Sequence, residues 1–306
     1  MRIVFMGSSS FSVPSLKTLA KTKYKPILVV TQPDRKKGRK RKITPTIVKE
    51  VADNLQLPVF QPEDINGSID FLTSMGPDII VTVSYGEYLK KSIRNLPKIF
   101  CINLHPSLLP KYRGATPIQT AIAENEKYTG NTVFKITSEI DSGAIISQEK
   151  FPIKKDDNYS ILEKKLSFSG AKLLLKTIEE IELNKYSLKK QDNEKATFTQ
   201  KIISSKTKID WNNSAEKIDC FVRSLAERPS AKSTFRKTEI KILDVKTTHY
   251  KSIKSPGEIV NAKKMIFVAT KDFDLKINLL KPAGKNIMTS HAFNLGQDIR
   301  EGEYFK

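Results

Sequence analysis

The run Ile99-Phe100-Cys101-Ile102-Asn103-Leu104-His105-Pro106-Ser107-Leu108-Leu109-Pro110 reads as an apolar strand that ends in a polar turn bounded by prolines. Asn103 and His105 are two apart, so on a strand they point to the same face. Pro106 biases His105 away from helix and toward an extended backbone. The segment beyond, Lys111-Tyr112-Arg113-Gly114-Ala115-Thr116-Pro117, is polar and carries glycine and proline. Sites in open α/β sheets lie at the carboxyl ends of strands, and this histidine sits at one. Asp141-Ser142-Gly143 follows later in the chain. An amide, an imidazole and a carboxylate brought together supply an oxyanion donor, a proton acceptor and a group that orients it. That set fits acyl transfer without a covalent enzyme intermediate. Singly, an Asn, a His or an Asp is more often a turn residue or a satisfied polar group. Their shared setting favours Asn103, His105 and Asp141 as catalytic.

Outward from this strand, the first half of the chain alternates strand and helix signals, which predicts an α/β domain with a mostly parallel, doubly wound sheet. Ile3 to Met6 is a strand entering Gly7, and a helix begins near Ser12 with Pro14 in its first turn, where a missing amide proton is harmless. Ile27 to Thr31 and Ile79 to Val83 are further apolar strands. Gly130 to Ile136 and Ile145 to Ile153 alternate apolar and polar residues, so they are expected to be more exposed or antiparallel. Ile161, Leu162, Leu166, Leu173, Leu174 and Ile178 recur at helical spacing and predict a helix from about Tyr159 to Leu183. The Gly7 turn reads Gly7-Ser8-Ser9-Ser10-Phe11 and lacks the glycines of a dinucleotide-binding fingerprint. From Asn184 to Lys208 the composition turns polar, as in a linker. Beyond Asp210-Trp211-Asn212, one helix (Ala215, Ile218, Phe221, Val222, Leu225) precedes short strands at Ile240 to Val245, Gly257 to Val260, Met265 to Ala269 and Leu275 to Leu280. These predict a small β domain. Trp211 is expected in its core rather than against a nucleic-acid base.

The chain has 306 residues, enough for two cores, and a net charge of +20 from 53 basic and 33 acidic residues. Such an excess favours a polyanionic partner, although a general preference for lysine contributes to it. Distribution is more informative. Arg35-Lys36-Lys37-Gly38-Arg39-Lys40-Arg41-Lys42 is basic at every position but Gly38. A run this dense repels itself and is expected to be mobile until an anion binds; Thr44-Pro45 is expected to cap the helix that follows. Residues 206–306 hold 20 Lys and Arg against 12 Asp and Glu, which suits contact with an RNA backbone. Cys101 and Cys220 make no metal-ligand spacing, and no metal is expected. The first residues form too short an apolar run for a cleaved leader, and no stretch reaches the ~20 apolar residues that span a bilayer. A cytoplasmic protein that stays off membranes is expected.

Several segments carry a resemblance that covers nearly the whole chain. They are Phe5-Met6-Gly7 with Phe11-Ser12-Val13-Pro14-Ser15-Leu16, then Val29-Val30-Thr31-Gln32-Pro33-Asp34-Arg35, Val83-Ser84-Tyr85-Gly86, Ile102 to Gln119, and Asp141-Ser142-Gly143. The string H-P-S-L-L-P-x-Y-R-G-A marks folate-dependent formyltransferases. With the basic segment and the C-terminal extension, the chain resembles the methionyl-tRNA formyltransferases. The resemblance implies a Rossmann-like catalytic domain over 1–188, a linker over 189–208 and an OB-like tRNA-binding barrel over 209–306. It implies formyl transfer from 10-formyltetrahydrofolate to the methionine amine of initiator methionyl-tRNA, by a monomer. Tetrahydrofolate would lie along Val83, Tyr85 and Gly86 and along Ser107, Leu108, Leu109 and Pro110. Arg35, Lys36, Lys37, Arg39, Lys40, Arg41 and Lys42 would enter the region of the tRNA acceptor stem.

Two departures from the family pattern are Arg228-Pro229-Ser230-Ala231, where W-P-G-A is common, and Ser9-Ser10-Phe11, where P-D-F is. The rival readings are a formyltransferase for a small-molecule amine, a folate-dependent hydrolase that releases formate, and a noncatalytic RNA-binding relative. The basic run and C-terminal extension argue against the first, and the intact trio argues against the last.

Overall fold

Ile3, Val4, Phe5 and Met6 are completely buried in the computed structural model, which describes residues 1–37 and 42–306. An unbroken apolar run is what a strand covered on both faces requires. The described chain forms two units: Met1–Pro117 with Tyr128–Pro152 and Glu163–Thr199, and Ile118–Lys127 with Ile153–Leu162 and Gln200–Lys306. Through the first half the order is β1 (Ile3–Gly7), α1 (Val13–Ala20), β2 (Leu28–Val30), β3 (Arg35–Lys37), β4 (Lys42–Thr44), α2 (Ile47–Asn54), β5 (Val59–Phe60), α3 (Ile69–Ser74), β6 (Ile79–Val83), α4 (Lys91–Arg94) and β7 (Phe100–His105). It continues with β8 (Arg113–Gly114), α5 (Pro117–Ala123), β9 (Tyr128–Lys135), β10 (Ile145–Pro152), α6 (Tyr159–Glu182) and β11 (Phe198–Thr199).

The sheet of the first unit runs β10-β9-β7-β6-β1-β2-β5. β7, β6, β1, β2 and β5 are parallel, and β9 and β10 add an antiparallel edge. The strand order therefore reverses beside β1 and β6, and the crevice at their carboxyl ends is the place for a site. β9 is antiparallel as expected but buried from Thr129 to Phe134. Its Asn131 Nδ2 donates to the Leu166 carbonyl and Ser169 hydroxyl of α6, which satisfies the donor end of the buried amide while Oδ1 has no partner among the described residues. On α6, Leu162, Leu166, Leu174 and Ile178 are buried while Ile161 is exposed. Thr46, not Thr44, caps α2, accepting from the Lys49 amide. Burial pushes the Cys101 thiol up to about 12, the behaviour of an inert core cysteine.

β3 and β4 form a two-stranded antiparallel ladder, Arg35 opposite Thr44 and Lys36 opposite Ile43. The stem of the basic segment is thus paired, where the charge density alone predicted a mobile run. Arg39, Lys40 and Arg41 lie outside the described residues.

The second unit holds α7 (Ala215–Ser224) and a sheet of β12 (Ala231–Phe235), β13 (Thr238–Lys251), β14 (Ile259–Asn261), β15 (Ile266–Val268) and β16 (Phe273–Pro282), followed by β17 (Met288–Thr289) and α8 (Ser290–Leu295). The order is β12-β13-β16-β15-β14, with β17 paired to β16, all antiparallel. This is compatible with the expected small barrel. β12 and β17 were not anticipated, and β13 extends well beyond Val245. Ser230 stands where the family pattern has glycine and adopts φ +73°. A left-handed residue costs roughly 1–2 kcal/mol; the Ser230 hydroxyl offsets part of this by donating to the Glu227 carbonyl at 2.8 Å.

Trp211 is core: it is 4 % exposed, its Nε1 donates to Ser233 Oγ at 3.0 Å, and its ring lies 6.0 Å from that of Phe305. Trp211→Ala is expected to destabilise this unit by about 3–5 kcal/mol, read as a lowered denaturation midpoint. A shift below 1 kcal/mol would contradict that packing role.

Candidate active site

β7 places its two polar side chains as the sequence pattern requires. Asn103 lies opposite Thr82 of β6 and Phe134 of β9, and His105 opposite Thr132. The Thr82 hydroxyl donates to Asn103 Oδ1 at 2.8 Å, and its alternative acceptor, the Ile102 carbonyl, is farther at 3.2 Å. With Oδ1 so engaged, Nδ2 is the end of the amide left to donate.

His105 is buried, and its Nε2 lies 2.9 Å from the Tyr112 carbonyl oxygen. A carbonyl only accepts, so Nε2 carries the hydrogen and Nδ1 is the basic nitrogen of the neutral ring. Nδ1 is 3.6 Å from Asp141 Oδ2. The expected division of labour therefore changes: the Tyr112 carbonyl selects the tautomer. Asp141 stands just beyond hydrogen-bonding range, with Nδ1 not committed to it.

Asp141 is itself held on several sides. Its Oδ2 accepts from the Gly114 amide at 2.8 Å. Its backbone is left-handed, with φ +51°. Its carbonyl and that of Gly143 accept from Gln191 Nε2 at 2.8 and 2.7 Å. Two glycines are required by space here. A Cβ on Gly143 would stand 1.7 Å from the Lys135 carbonyl oxygen, and one on Gly114, at φ +106°, 2.4 Å from that of Thr199. β8 and β11 form a short parallel pair, Arg113 opposite Phe198.

The turn after His105 is braced internally. The Ser107 hydroxyl donates to the Lys111 carbonyl, and the Ser107 carbonyl accepts from Thr132. The Leu109 amide donates to Thr132 Oγ1 and its carbonyl accepts from Gln148. Leu108 is half-buried and Leu109 buried. At the end of β6, the carbonyls of Val83, Ser84 and Tyr85 accept from Ser12 Oγ, the Ser8 amide and Ser8 Oγ. The Tyr85 ring is turned into the core cluster with Met6 and Ile80, and burial raises its phenol above the ordinary range. Gly86 is exposed at φ +89° with open space around its Cα. Asn103, His105 and Asp141 thus converge. From the turns, Leu108 and Gly86 present surface while Val83, Tyr85, Ser107 and Leu109 face inward.

Among the basic residues, Arg35 is exposed and pairs with the exposed Glu63 at 3.0 Å, and Lys36 and Lys42 are exposed. Among the described residues no group of three His, Cys, Asp or Glu is placed to hold a metal ion, and no helix is long and apolar enough to cross a membrane.

Thr82, Tyr112, Gly114 and Gln191 all shape the site without having been singled out from the sequence. Thr82 left a trace, as the one polar residue in Ile79-Ile80-Val81-Thr82-Val83. Gln191 left none, because it lies in the polar stretch that reads as linker. Up to Thr199 that stretch belongs to the first unit, held by Gln191, by the Lys189–Ile145 pairing and by β11, and from Gln200 the chain belongs to the second.

Residues 1–178 match the formyl transferase family and residues 201–298 match the formyl transferase C-terminal domain. A methionyl-tRNA formyltransferase of Sulfurihydrogenibium sp. is 41 % identical over 312 aligned positions, covering 100 % of both chains. The same-named proteins of Enterococcus faecalis and Bacillus subtilis are 41 % and 39 % identical, each over at least 96 % of both chains. This chain belongs to the methionyl-tRNA formyltransferase family. Solved structures agree on the fold. A methionyl-tRNA formyltransferase from Clostridium thermocellum superposes with a TM-score of 0.58 at 17 % identity, covering 81 % of this chain and 94 % of that one. An N-formyltransferase from Helicobacter canadensis, in complex with folinic acid and dTDP-3-aminofucose, gives 0.69 at 23 % identity, covering 90 % and 98 %. The same fold thus also occurs in an enzyme bound to a sugar nucleotide, so the fold by itself does not assign the formyl acceptor.

Proposed function

We infer that this enzyme transfers the formyl group of 10-formyltetrahydrofolate to the α-amine of methionine on initiator methionyl-tRNA, giving N-formylmethionyl-tRNA and tetrahydrofolate. The single observation that supports the chemistry best is the convergence of Asn103, His105 and Asp141 at the end of β7. The neutral amine attacks the formyl carbon, a C–N bond forms, and the carbonyl electron pair moves onto oxygen. The Asn103 Nδ2 donates to that oxyanion. His105 Nδ1 accepts the proton that the new ammonium sheds, and the Asp141 carboxylate stabilises the resulting imidazolium. The electron pair then returns from oxygen, the bond to folate N10 breaks, and N10 takes up the proton. Folate is assigned to the crevice bordered by Gly86 and Leu108, with Val83, Tyr85, Ser107, Leu109 and Pro110 shaping its walls from behind.

We assign catalysis to residues 1–188 together with the ordered stretch that follows, and RNA contact to 209–306 and the basic hairpin. With Trp211 buried, the aromatic best suited to meet a base is Tyr250, which is 71 % exposed among exposed Lys246, Lys251 and Lys254 at the end of β13. Charged initiator tRNA is a substrate of the translating compartment, so we place the enzyme in the cytoplasm, acting as a monomer. The test is product analysis: folate turnover should require charged tRNA and yield formylmethionine. Formate release without tRNA would instead mean a hydrolase.

Neutralising Arg39, Lys40, Arg41 and Lys42 together is expected to leave folate binding unchanged while weakening productive use of charged tRNA. Each lost phosphate contact reduces the log–log salt slope of binding by about 0.7–0.9. The turnover number should fall with affinity, since contacts near the acceptor end also place the amine. Normal formylation at physiological salt by this variant would make the basic run a solvated surface feature.

A further inference from the structure

We propose that Gln191 is a positioning residue for Asp141, acting from a stretch that no sequence pattern marks. The proposal rests on the role given to Asp141 above. Gln191 is 5 % exposed and uses its whole hydrogen-bonding capacity within the site. Nε2 donates to the carbonyls of Asp141 and Gly143, and Oε1 accepts from Arg113 Nε at 3.1 Å and Nη2 at 2.8 Å. The orientation of the amide is dictated by its partners: two carbonyls only accept and a guanidinium only donates.

Both ends of the amide bear on the carboxylate. One end grips the main chain of Asp141, which is left-handed at φ +51°, a conformation that Asp adopts more readily than most L-residues and that the two donors from Gln191 help to hold. The other end holds Arg113, the residue before Gly114, whose amide donates to Asp141 Oδ2. Arg113 is 3 % exposed and is further bound by Asn193 Oδ1 at 2.8 Å. The guanidinium is thus surrounded by neutral side-chain oxygens, and the Asp141 carboxylate stays available to His105. The Lys189 amide and carbonyl pair with Ile145 at 2.9 and 2.8 Å, which anchors the stretch just before Gln191. A structural filler would need only the shape of glutamine; this placement needs two donors facing one loop and an acceptor facing another.

Gln191→Glu separates these roles in the full-length enzyme. It keeps the shape and an oxygen toward Arg113 and removes both donors to the Asp141–Gly143 loop. The expected result is a fall in kcat of about 10- to 100-fold, in line with the ~100-fold cost of a 1 Å misplacement. KM for 10-formyltetrahydrofolate and for charged tRNA should each stay within about twofold. Added to Asp141→Ala, Gln191→Glu should cost less than about threefold more, because residues acting as a unit do not combine multiplicatively. A kcat near that of the unsubstituted enzyme, a loss carried by KM alone, or a fully multiplicative double variant would each overturn the proposal. Asp141→Ala alone marks the other failure: near-normal turnover there overturns the reading of the site itself, whereas a severe loss there with a silent Gln191→Glu overturns only the positioning role.

Discussion

Asn103→Ala is expected to bind charged tRNA and folate as well as the unsubstituted enzyme and to turn over roughly 100- to 1,000-fold more slowly, the usual cost of one oxyanion donor. The effect falls on kcat because the formyl oxygen carries full charge only after the amine has attacked, so the Nδ2 contact strengthens along the reaction. The geometry adds a second arm. Thr82 Oγ1 donates to Asn103 Oδ1 at 2.8 Å and so sets which end of the amide is free. Thr82→Val keeps the side-chain shape and removes that bond, and the amide is then free to turn its oxygen toward a developing negative charge. A smaller loss in kcat, about fivefold, is expected from a hydrogen bond worth about 1 kcal/mol. Normal turnover in Asn103→Ala would remove the amide from the mechanism, whatever Thr82 does.

The second large effect concerns proton handling. His105→Ala and Asp141→Ala are each expected to be severely impaired, with the double variant little worse than the poorer single. His105 Nε2 is committed to the Tyr112 carbonyl, leaving Nδ1 to take the proton, and Asp141 Oδ2 lies 3.6 Å from Nδ1. Without the imidazole, that carboxylate has no cation to stabilise. Without the carboxylate, the imidazole takes up a proton in a buried setting with no counter-charge, which costs free energy. Losses that multiply in the double variant would show that the two groups act separately.

Much of this was legible along the chain, for definable reasons. β1, β6 and β7 are covered on both faces, so β1 reads as an unbroken apolar run and β6 and β7 as apolar runs interrupted only by Thr82 and by Asn103 and His105, and Pro106 closes β7 right after His105. The mostly parallel sheet and the pairing of Asn103 with His105 follow from that local pattern. β12 escaped because the residues it buries, Ala231, Ser233 and Phe235, include only one large apolar side chain, and its pairing with β13 is what makes it a strand. Within Ser107 to Pro110, Thr132 and Gln148 from β9 and β10 occupy backbone groups of Ser107 and Leu109. Such pairings join residues distant in sequence and leave no periodic trace. Gln191 is the extreme case: its meaning exists only once Arg113, Asp141 and Gly143 have been brought around it.

The most direct measurement is acceptor competition under single turnover. The enzyme, preloaded with 10-formyltetrahydrofolate, meets equal concentrations of charged initiator methionyl-tRNA and a small amine such as methionine methyl ester. Formyl is expected on the RNA-linked amine, with the basic run and the C-terminal unit proposed to hold the substrate while Asn103, His105 and Asp141 carry out the transfer. Equal formylation of the small amine, or formate release with neither acceptor modified, would contradict it.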